Sequence, residues 1–540
     1  MTGAAIRLTS FRYLTFVAAL ATGLVLSVVP VGAQTRAMAY KQALAETVAR
    51  DPALAAFYRE RNYLPVWTGA SDADTARLRA LLWAVARAGD HALPASRYDP
   101  EAILAALRSV SNERARGRAE ADLSRVYLRF ARDLQSGVLV PRAVDRAISR
   151  DVLRRGTPEL MQAILSGNPT DVMRSFAPAT QEYTRLMGEK QRLERLRARG
   201  GWGDGVSANK LEPGDSGALV VELRNRLISM GYLSRTASTT YDAALQNAVL
   251  LFQDDHGLNA DGIAGPSTIA EINVGVDARL RSIAVAMERE RWMNFDRGAR
   301  HVRVNLADFT AKIIDNGIET FSTRAIVGKN TSRRRTPEFS DQMEFMVINP
   351  TWFVPRSITT REYLPQLQRN PNAQSQLRLF DSSGRQVNRG NVDFTQFTEG
   401  NFPYSLQQPP SSRNALGRVK FMFPNPFNIY LHDTPAQNLF ANEKRDFSHG
   451  CVRLDDPFEF AYALLARQTD DPVSFFAKRL NTGRETQVNL EQPVPVHLIY
   501  RTTFTKARGR VNFRRDIYER DARIWEALED AGVVLGAVQG

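Results

Sequence analysis

The stretch Asp446–Phe460, DFSHGCVRLDDPFEF, contains the single cysteine of this 540-residue chain. Beyond Cys451, Asp456 and Pro457 are typical of a helix N-cap and first turn, and Glu459 completes a capping-box pattern. The spacing therefore predicts that Cys451 lies on a short turn or strand just before a helix. Rigid elements would then hold the thiol on both sides.

The compartment decides what an unpaired cysteine means. The chain opens with Arg7 and Arg12, an apolar run over 13–29 and a small-residue site ending at Ala33, which is the layout of a secretory signal over 1–33. An uncleaved membrane anchor is the alternative, because the apolar run is just long enough for a short span. We expect an exported protein, in which a lone cysteine is buried, bridged between molecules or reactive.

Composition excludes some classes of protein. The formal net charge is +13, but the basic residues are scattered without an accompanying array of aromatic residues, so we expect mostly solvated charges and no nucleic-acid partner. One cysteine cannot build a thiolate zinc site, and the six histidines show no paired metal spacing. We expect no metal and no cofactor.

The distribution of helical and strand patterns along the sequence predicts a multidomain α+β protein. Helical periodicity indicates a scaffold domain, a Gly-rich stretch indicates a linker, and short alternating runs separated by turns indicate a mostly-β domain. A polar segment with few strand signals reads as an inserted lid, and we expect deletion of Gln366–Gln408 to impair turnover more than folding. The predicted segments are the scaffold at 37–195, the linker at 196–210, a compact helical unit at 211–275, the β domain at 283–500 with its insertion at about 357–412, and a C-terminal extension at 501–540.

The compact unit at 211–275 carries a second pattern. Apolar residues at helical spacing predict two buried faces, formed by Leu219, Leu223, Leu227 and Met230 on one helix and by Ala248, Leu251 and Phe252 on the next. With the Phe-Gln pair and the turn Asp261–Thr268, this unit resembles the three-helix peptidoglycan-binding module of bacterial wall enzymes. A packing unit without a ligand is the alternative.

A histidine upstream completes the chemistry around the cysteine. His432 is predicted near the end of a strand, with Tyr430 on its face, and fifteen residues separate it from Ser448. A thiol attacks as thiolate, so a neighbouring imidazole that takes its proton and then stabilises the anion is expected. Amides near Gly450, with a His449 N–H, are candidates for an oxyanion site.

The pattern of His432 followed by Ser-His-Gly-Cys-Val-Arg at 448–453 resembles the signature of the L,D-transpeptidases of the YkuD family, and the wider chain resembles its large YcbB-like branch. The resemblance covers nearly the whole mature chain. It implies a periplasmic enzyme with these roles: Cys451 as nucleophile, His432 as proton donor and acceptor, His449 and Gly450 at the oxyanion site, Ser448 and Arg453 shaping the site, and Asn349 and Trp352 lining the substrate cleft.

That resemblance implies a reaction on peptidoglycan tetrapeptide stems. Cys451 would form a thioester with a diaminopimelate residue, release D-Ala, and pass the acyl group to a diaminopimelate amine on a neighbouring stem. Carbapenem-type inhibitors are expected to acylate the same thiol. Two alternatives remain open: an L,D-carboxypeptidase or endopeptidase that uses the same thiol, and a non-catalytic wall-binding scaffold.

Overall fold

The structure is a computed structural model and describes residues 31–506 and 509–536. The predicted signal segment lies mostly outside these described residues. None of the helices in the described part of the chain combines the length and apolar character that crossing a membrane requires.

The first part of the chain is a helical block, as its periodicity predicts. Side-chain caps start its helices: Asp51 accepts the Leu54 N–H ahead of α2, and Ser71 and Asp74 form a capping box at α3. Aromatic and aliphatic side chains fill one continuous core. The helices are α1 (Val31–Val48), α2 (Pro52–Glu60), α3 (Asp72–Val85), α4 (Pro100–Arg108), α5 (Glu113–Ser136), α6 (Pro141–Val144), α7 (Thr157–Ser166), α8 (Pro169–Arg174) and α9 (Gln181–Ala198).

The compact unit contains α10 (Ala218–Ser229), α11 (Ala243–His256) and α12 (Pro266–Ile272). Gln253 explains its turn motif, because the side chain accepts the Gly262 N–H at 2.9 Å and donates to the Ile263 carbonyl at 2.9 Å. Two predicted core positions are wrong: Leu219 is 44% exposed and Leu251 is 51% exposed. The buried face of α10 is rotated toward Val220, which leaves Leu219 at its margin.

A long buried helix, α13 (Val276–Trp292), leads into the β domain. The sheet of that domain combines β1 to β4, given below, with β9 (Val419–Met422), β10 (Leu431–His432), β11 (Asp446–Ser448), β12 (Val452–Leu454) and β13 (Thr486–Ile499). Its order is β11-β3-β12-β10-β9-β4-β13-β1-β2. Because β2 also pairs with β3, the sheet closes on itself around an apolar core. Most pairs are antiparallel, but β1–β13, β10–β12 and β11–β3 are parallel. Its first strands are β1 (Arg300–Asn305), β2 (Thr310–Asp315), β3 (Ile318–Gly328) and β4 (Phe339–Ile348).

The predicted insertion is a small folded unit between β4 and the next strand of the main sheet. It forms a four-stranded sheet of order β5-β8-β6-β7 over its own apolar core, although its sequence has few strand signals. The strands escape pattern analysis because each has only two to four residues. Its elements are β5 (Trp352–Phe353), α14 (Arg356–Ile358), a π-helical turn (Thr359–Tyr363), α15 (Leu364–Arg369), β6 (Arg378–Phe380), β7 (Gln386–Val387) and β8 (Ser405–Gln408).

The rest of the chain completes the main sheet and then returns to the helices. The C-terminal helix packs on α13 and α9 through Trp525 and Leu528, so the predicted extension belongs to the core of the molecule. The remaining elements are β9 (Val419–Met422), β10 (Leu431–His432), β11 (Asp446–Ser448), β12 (Val452–Leu454), α16 (Pro457–Leu465), α17 (Pro472–Leu480), β13 (Thr486–Ile499), β14 (Thr503–Thr505), β15 (Val511–Phe513) and α18 (Arg520–Asp530).

Candidate active site

Cys451 lies on the tight turn between β11 and β12, where the sequence predicts it. Gly450 has a φ of +131°, a conformation that side chains disfavour, and a Cβ there would approach Ile429 Cδ1 to 3.3 Å. Thr336 Oγ1 donates to the Gly450 carbonyl at 2.7 Å, and Ser448 Oγ donates to the Cys451 carbonyl at 2.5 Å. These bonds fix the direction in which the thiol points.

The helix after the turn begins as predicted, but its cap differs. Pro457 occupies the first turn of α16 and Asp456 is the N-cap residue, yet the Asp456 carboxylate makes no capping bond to the helix. It accepts a hydrogen bond from Thr323 Oγ1 at 2.8 Å instead. The cap residue therefore ties the nucleophile segment to β3.

Parallel pairing of β10 and β12 brings the distant histidine to the cysteine. The register places Leu431 opposite Val452 and His432 opposite Arg453, and the Val452 N–H donates to the Tyr430 carbonyl at 3.1 Å. Because side chains alternate along a strand, Tyr430, His432, Cys451 and Arg453 share one face of the sheet. The predicted nucleophile and the predicted proton acceptor thus face the same region.

The thiol is half-buried and lies among polar groups. Cys451 Sγ donates to the Asn428 carbonyl at 3.5 Å, and the hydroxyl and backbone of Tyr430 lie close enough to the sulfur to act on its pKa. Burial raises the pKa of Cys451 to about 11, although the Tyr430 hydrogen bonds and the Arg453 charge act in the opposite direction. At neutral pH the resting sulfur is therefore a protonated thiol.

His432 is buried and held in one tautomer. Its Nδ1 lies 2.5 Å from the Asp433 carbonyl, and since a carbonyl only accepts, the neutral ring carries its proton on Nδ1 and a lone pair on Nε2. Burial, together with the Arg453 charge, lowers the pKa of His432 to about 3. Burial therefore favours the neutral form of both groups in the resting protein, whereas the sequence predicts a thiolate–imidazolium pair.

His449 is exposed and contacts the insertion. Its Nε2 lies 2.9 Å from Glu362 Oε1 and 3.0 Å from Oε2, and Arg334 donates to the same carboxylate at 2.6 Å. Glu362 belongs to the π-helical turn, an irregularity that often marks functional sites. This contact closes the insertion over the nucleophile turn.

The predicted oxyanion donors are partly occupied. The Gly450 N–H, which the sequence leaves accessible, donates to Ser448 Oγ at 3.1 Å. The Nε2 atom of His449 is engaged by Glu362, which leaves its Nδ1. Tyr430, with its hydroxyl at the sulfur, is the donor that sequence reasoning placed on the correct face without assigning it a role.

Two predicted cleft residues are structural. Asn349 is 2% exposed; its amide donates to the Leu480 carbonyl at 2.9 Å and its oxygen accepts from Arg418 Nε at 3.1 Å, so it holds the backbone behind the site and does not line the cleft. Trp352 is buried in the core of the insertion, edge-on to Tyr363 at 6.3 Å. Both predictions of substrate contact are corrected on these grounds.

Sequence reasoning missed Glu362, Thr336 and Lys420. Glu362 lies 87 residues before His449, and no periodicity links them. Thr336 lies in the polar loop before β4, which carries no strand pattern. Lys420 lies on β9 directly opposite His432, and its alternation with buried Val419 and Phe421 was the available signal.

Comparison with known protein families agrees with this site. Residues 299–476 match the model described as the YkuD L,D-transpeptidase catalytic domain, residues 52–189 match a scaffold domain, and residues 216–272 match a putative peptidoglycan-binding domain. The matched ranges lie inside the predicted segments 283–500, 37–195 and 211–275. The chain therefore contains a YkuD L,D-transpeptidase catalytic domain together with a peptidoglycan-binding domain. Its assignment to the YcbB-like branch stays a prediction.

Individual relatives cover only part of the chain. A "Putative L,D-transpeptidase" of Haemophilus influenzae is 30% identical over 227 residues, which are 41% of this chain and 44% of that protein, so the match spans less than half of the relative. An L,D-transpeptidase structure from Xylanimonas cellulosilytica (16% identity, 55% of this chain, 100% of that chain) gives a TM-score of 0.17. One from Stackebrandtia nassauensis (14% identity, 55% and 97%) gives 0.21. At these TM-scores the two structures add nothing to the family match.

Proposed function

We propose that this protein is an envelope L,D-transpeptidase that cross-links peptidoglycan stems through a Cys451 thioester. The observation that carries the proposal is the shared face of β10 and β12, where the Cys451 thiol and the neutral His432 ring stand on adjacent strands of a YkuD catalytic domain. The free Nε2 lone pair of His432 suits it to remove a thiol proton. The predicted signal segment and the peptidoglycan-binding domain support an exported, periplasmic protein on the cell wall.

Acylation in this proposal starts from neutral groups. As Cys451 Sγ attacks the peptide carbonyl of diaminopimelate in a tetrapeptide stem, the thiol proton moves to His432 Nε2. The C–N bond then breaks, the imidazolium returns that proton to the leaving D-Ala amine, and a thioester remains. The Tyr430 hydroxyl, which lies near the sulfur, would stabilise the oxyanion of the tetrahedral intermediate.

Deacylation reverses the proton flow. The side-chain amine of diaminopimelate on a neighbouring stem attacks the thioester carbonyl, His432 Nε2 accepts its proton, and the thiolate leaves and is reprotonated. A thioester is activated toward amines, so bond exchange needs no ATP. Water in place of the amine gives hydrolysis, and water exclusion from the cleft sets the balance between the two.

Purified protein incubated with disaccharide-tetrapeptide and analysed by mass spectrometry tests the proposal. We expect a dimer of two muropeptides minus one D-Ala, and an acyl-enzyme adduct on Cys451. Cys451→Ala removes the nucleophile and is expected to abolish both, while His432→Ala is expected to lower turnover by about 10²–10⁴-fold. Cross-links formed by Cys451→Ala would falsify the proposal, and tripeptide as the sole product would assign hydrolysis instead.

A further inference from the structure

Three residues form a row across the sheet beside the nucleophile. On β9, Lys420 lies directly opposite His432 of β10, and on β12, Arg453 lies directly opposite His432 from the other side. Directly opposed residues of neighbouring strands place their side chains on one face. The two cations are therefore separated by two strand spacings, about 10 Å between backbones, with the catalytic histidine between them.

Neither Lys420 nor Arg453 forms an ion pair or a hydrogen bond through its side chain in the described part of the chain. Arg453 Nε is buried without a partner. Burial lowers the pKa of both side chains. The acid that acts on Lys420 is Glu485, which is exposed and accepts the backbone N–H of Thr351.

Both charges also reach the reacting groups. After burial, the Arg453 and Lys420 charges are the causes that lower the pKa of His432, and the Arg453 charge acts on Cys451. Partly buried cations without partners lose hydration without compensation, and an arriving carboxylate restores the missing interactions. The face that holds the nucleophile thus carries two cations with which an anion can pair.

The proposed reaction brings a carboxylate close to Lys420 and Arg453 in both of its steps, acylation and deacylation. The leaving amine belongs to a C-terminal residue whose carboxylate is on the carbon next to the nitrogen, within about 4 Å of the scissile carbonyl carbon. The attacking amine of diaminopimelate also sits on a carbon that bears a carboxylate. In both the bond that breaks and the bond that forms, the amine nitrogen is therefore attached to a carbon that bears a carboxylate.

We propose that Lys420 and Arg453 form a carboxylate subsite that binds the leaving residue of the donor and then the amine-bearing carbon of the acceptor. The proposal rests on the proposed function and names the substrates that the site selects: stems whose scissile bond is followed by a single residue with a free carboxylate. A longer stem places an amide where the carboxylate belongs. The same subsite favours an amino carboxylate over water as the acceptor.

Lys420→Met and Arg453→Met test the subsite, because Met keeps most of the apolar volume and removes the charge. The donors are disaccharide-tetrapeptide and the same compound with a C-terminal amide, and the readout is kcat/KM for release of the last residue. We expect the wild type to prefer the free acid by about tenfold to a hundredfold, the value of one to two charge-assisted hydrogen bonds. Each variant is expected to lose most of that preference, because kcat/KM falls more for the free acid than for the amide, whatever change the lost charge makes to the rates with both donors.

Lys478→Met, on the exposed face of α17, is the matched control and is expected to keep the preference of the wild type. A thermal midpoint close to that of the wild type shows that a variant is folded. An equal loss with both donors, or a preference unchanged in both variants, overturns the subsite. Failure of the proposed function gives a different result, since the wild type then forms no acyl-enzyme with either donor.

Discussion

At Cys451 and His432, burial moves two pKa values in opposite directions with the same consequence. Burial raises the pKa of Cys451 to about 11 and lowers the pKa of His432 to about 3, which favours the neutral form of both groups between these pH values. The motif predicted that these two residues lie close together, and the roles assigned to them stay predictions. It could not predict their ionisation, because that depends on Tyr430, Arg453 and the depth of the cleft.

The rate of thiol alkylation measures this ionisation directly. Since the chain has a single cysteine, iodoacetamide labelling reports Cys451 alone. The thiolate fraction of a group with a pKa raised to about 11 grows tenfold per pH unit below that value, so we expect the labelling rate to rise steadily from pH 7 to pH 10. Mass spectrometry of timed, quenched samples gives the rate.

The His432→Ala variant provides the contrast. In a neutral pair the histidine does not hold the thiolate, so the variant is expected to label within a few-fold of the wild-type rate while acyl transfer is lost. A labelling rate that levels off below pH 8 in the wild type, and collapses in the variant, identifies an ion pair and contradicts the neutral pair.

At the scale of secondary-structure elements, the insertion contains strands that the hydrophobic pattern of the sequence does not predict. Alternation over five or more residues predicted the strands of the main sheet, such as β4 and β13, whereas β6 and β7 are too short to show a period. The insertion also begins earlier than about 357, since Trp352 on β5 belongs to its core. Asn414 closes its base by donating to the Pro350 carbonyl at 3.1 Å and the Gln408 carbonyl at 3.0 Å.

These boundaries change the expected result of deletion. Removal of Gln366–Gln408 leaves Trp352, Ile358 and Leu364 without the rest of their core, at about 1.5–3 kcal/mol for each exposed side chain. We therefore expect that deletion to give poorly soluble protein, contrary to the expectation from sequence. Replacement of residues 351–413 by a short Gly-Ser linker removes all the buried residues of that core except Leu416 and is expected to fold, with reduced turnover because Glu362 no longer holds His449.

Soluble yield, thermal midpoint and acyl transfer of the two deletions are measured side by side. The larger deletion is expected to keep a cooperative transition near that of the full chain, and the smaller one to lose it. Equal folding of both proteins argues that the insertion has no core of its own, and undiminished turnover of the larger deletion argues that its contact with His449 has no function.

Over the whole molecule, buried charges join parts that the sequence separates. Arg289 of α13 pairs with Glu338 at 2.8 Å and with Asp521 of α18 at 2.9 Å, and Arg520, fully buried, also pairs with Glu338 at 3.2 Å. These residues are exceptions to the expectation that most charges are solvated, and the sequence does not single them out because charged residues at helical spacing look the same whether they face water or each other. The order of domains could be predicted from local helical and strand patterns in the sequence. The ion pairs between these distant segments could not.

A buried histidine at the joint between the helices and the sheet couples stability to pH. His497 on β13 contacts Ser340 Oγ through Nδ1 at 2.8 Å and the Arg297 carbonyl through Nε2 at 2.9 Å. Burial, together with the charges of Arg150, His301 and Arg297, lowers its pKa to about 4, although the hydrogen bond to the Arg297 carbonyl acts in the opposite direction. The unfolded chain, with a histidine pKa near 6.5, therefore binds this proton more readily than the folded protein between pH 6.5 and pH 4.

That difference sets the sign of the last prediction. The contribution of neutral His497 to the free energy of unfolding is complete above pH 6.5 and is lost as the pH falls toward 4, by about 1.4 kcal/mol per pH unit. His497→Gln keeps polar contacts to Ser340 and Arg297 but cannot titrate, so its stability relative to wild type should rise by about 2–3 kcal/mol between pH 7 and pH 4.5. Urea unfolding of both proteins at these two pH values measures the change, and comparison of pH 8 with pH 7, where neither protein titrates at this site, is the internal control. The other buried histidines and carboxyls are common to both proteins, so their effects cancel in the difference between the two free energies of unfolding. If that difference stays constant from pH 7 to pH 4.5, His497 is protonated as easily in the folded protein as in the unfolded chain.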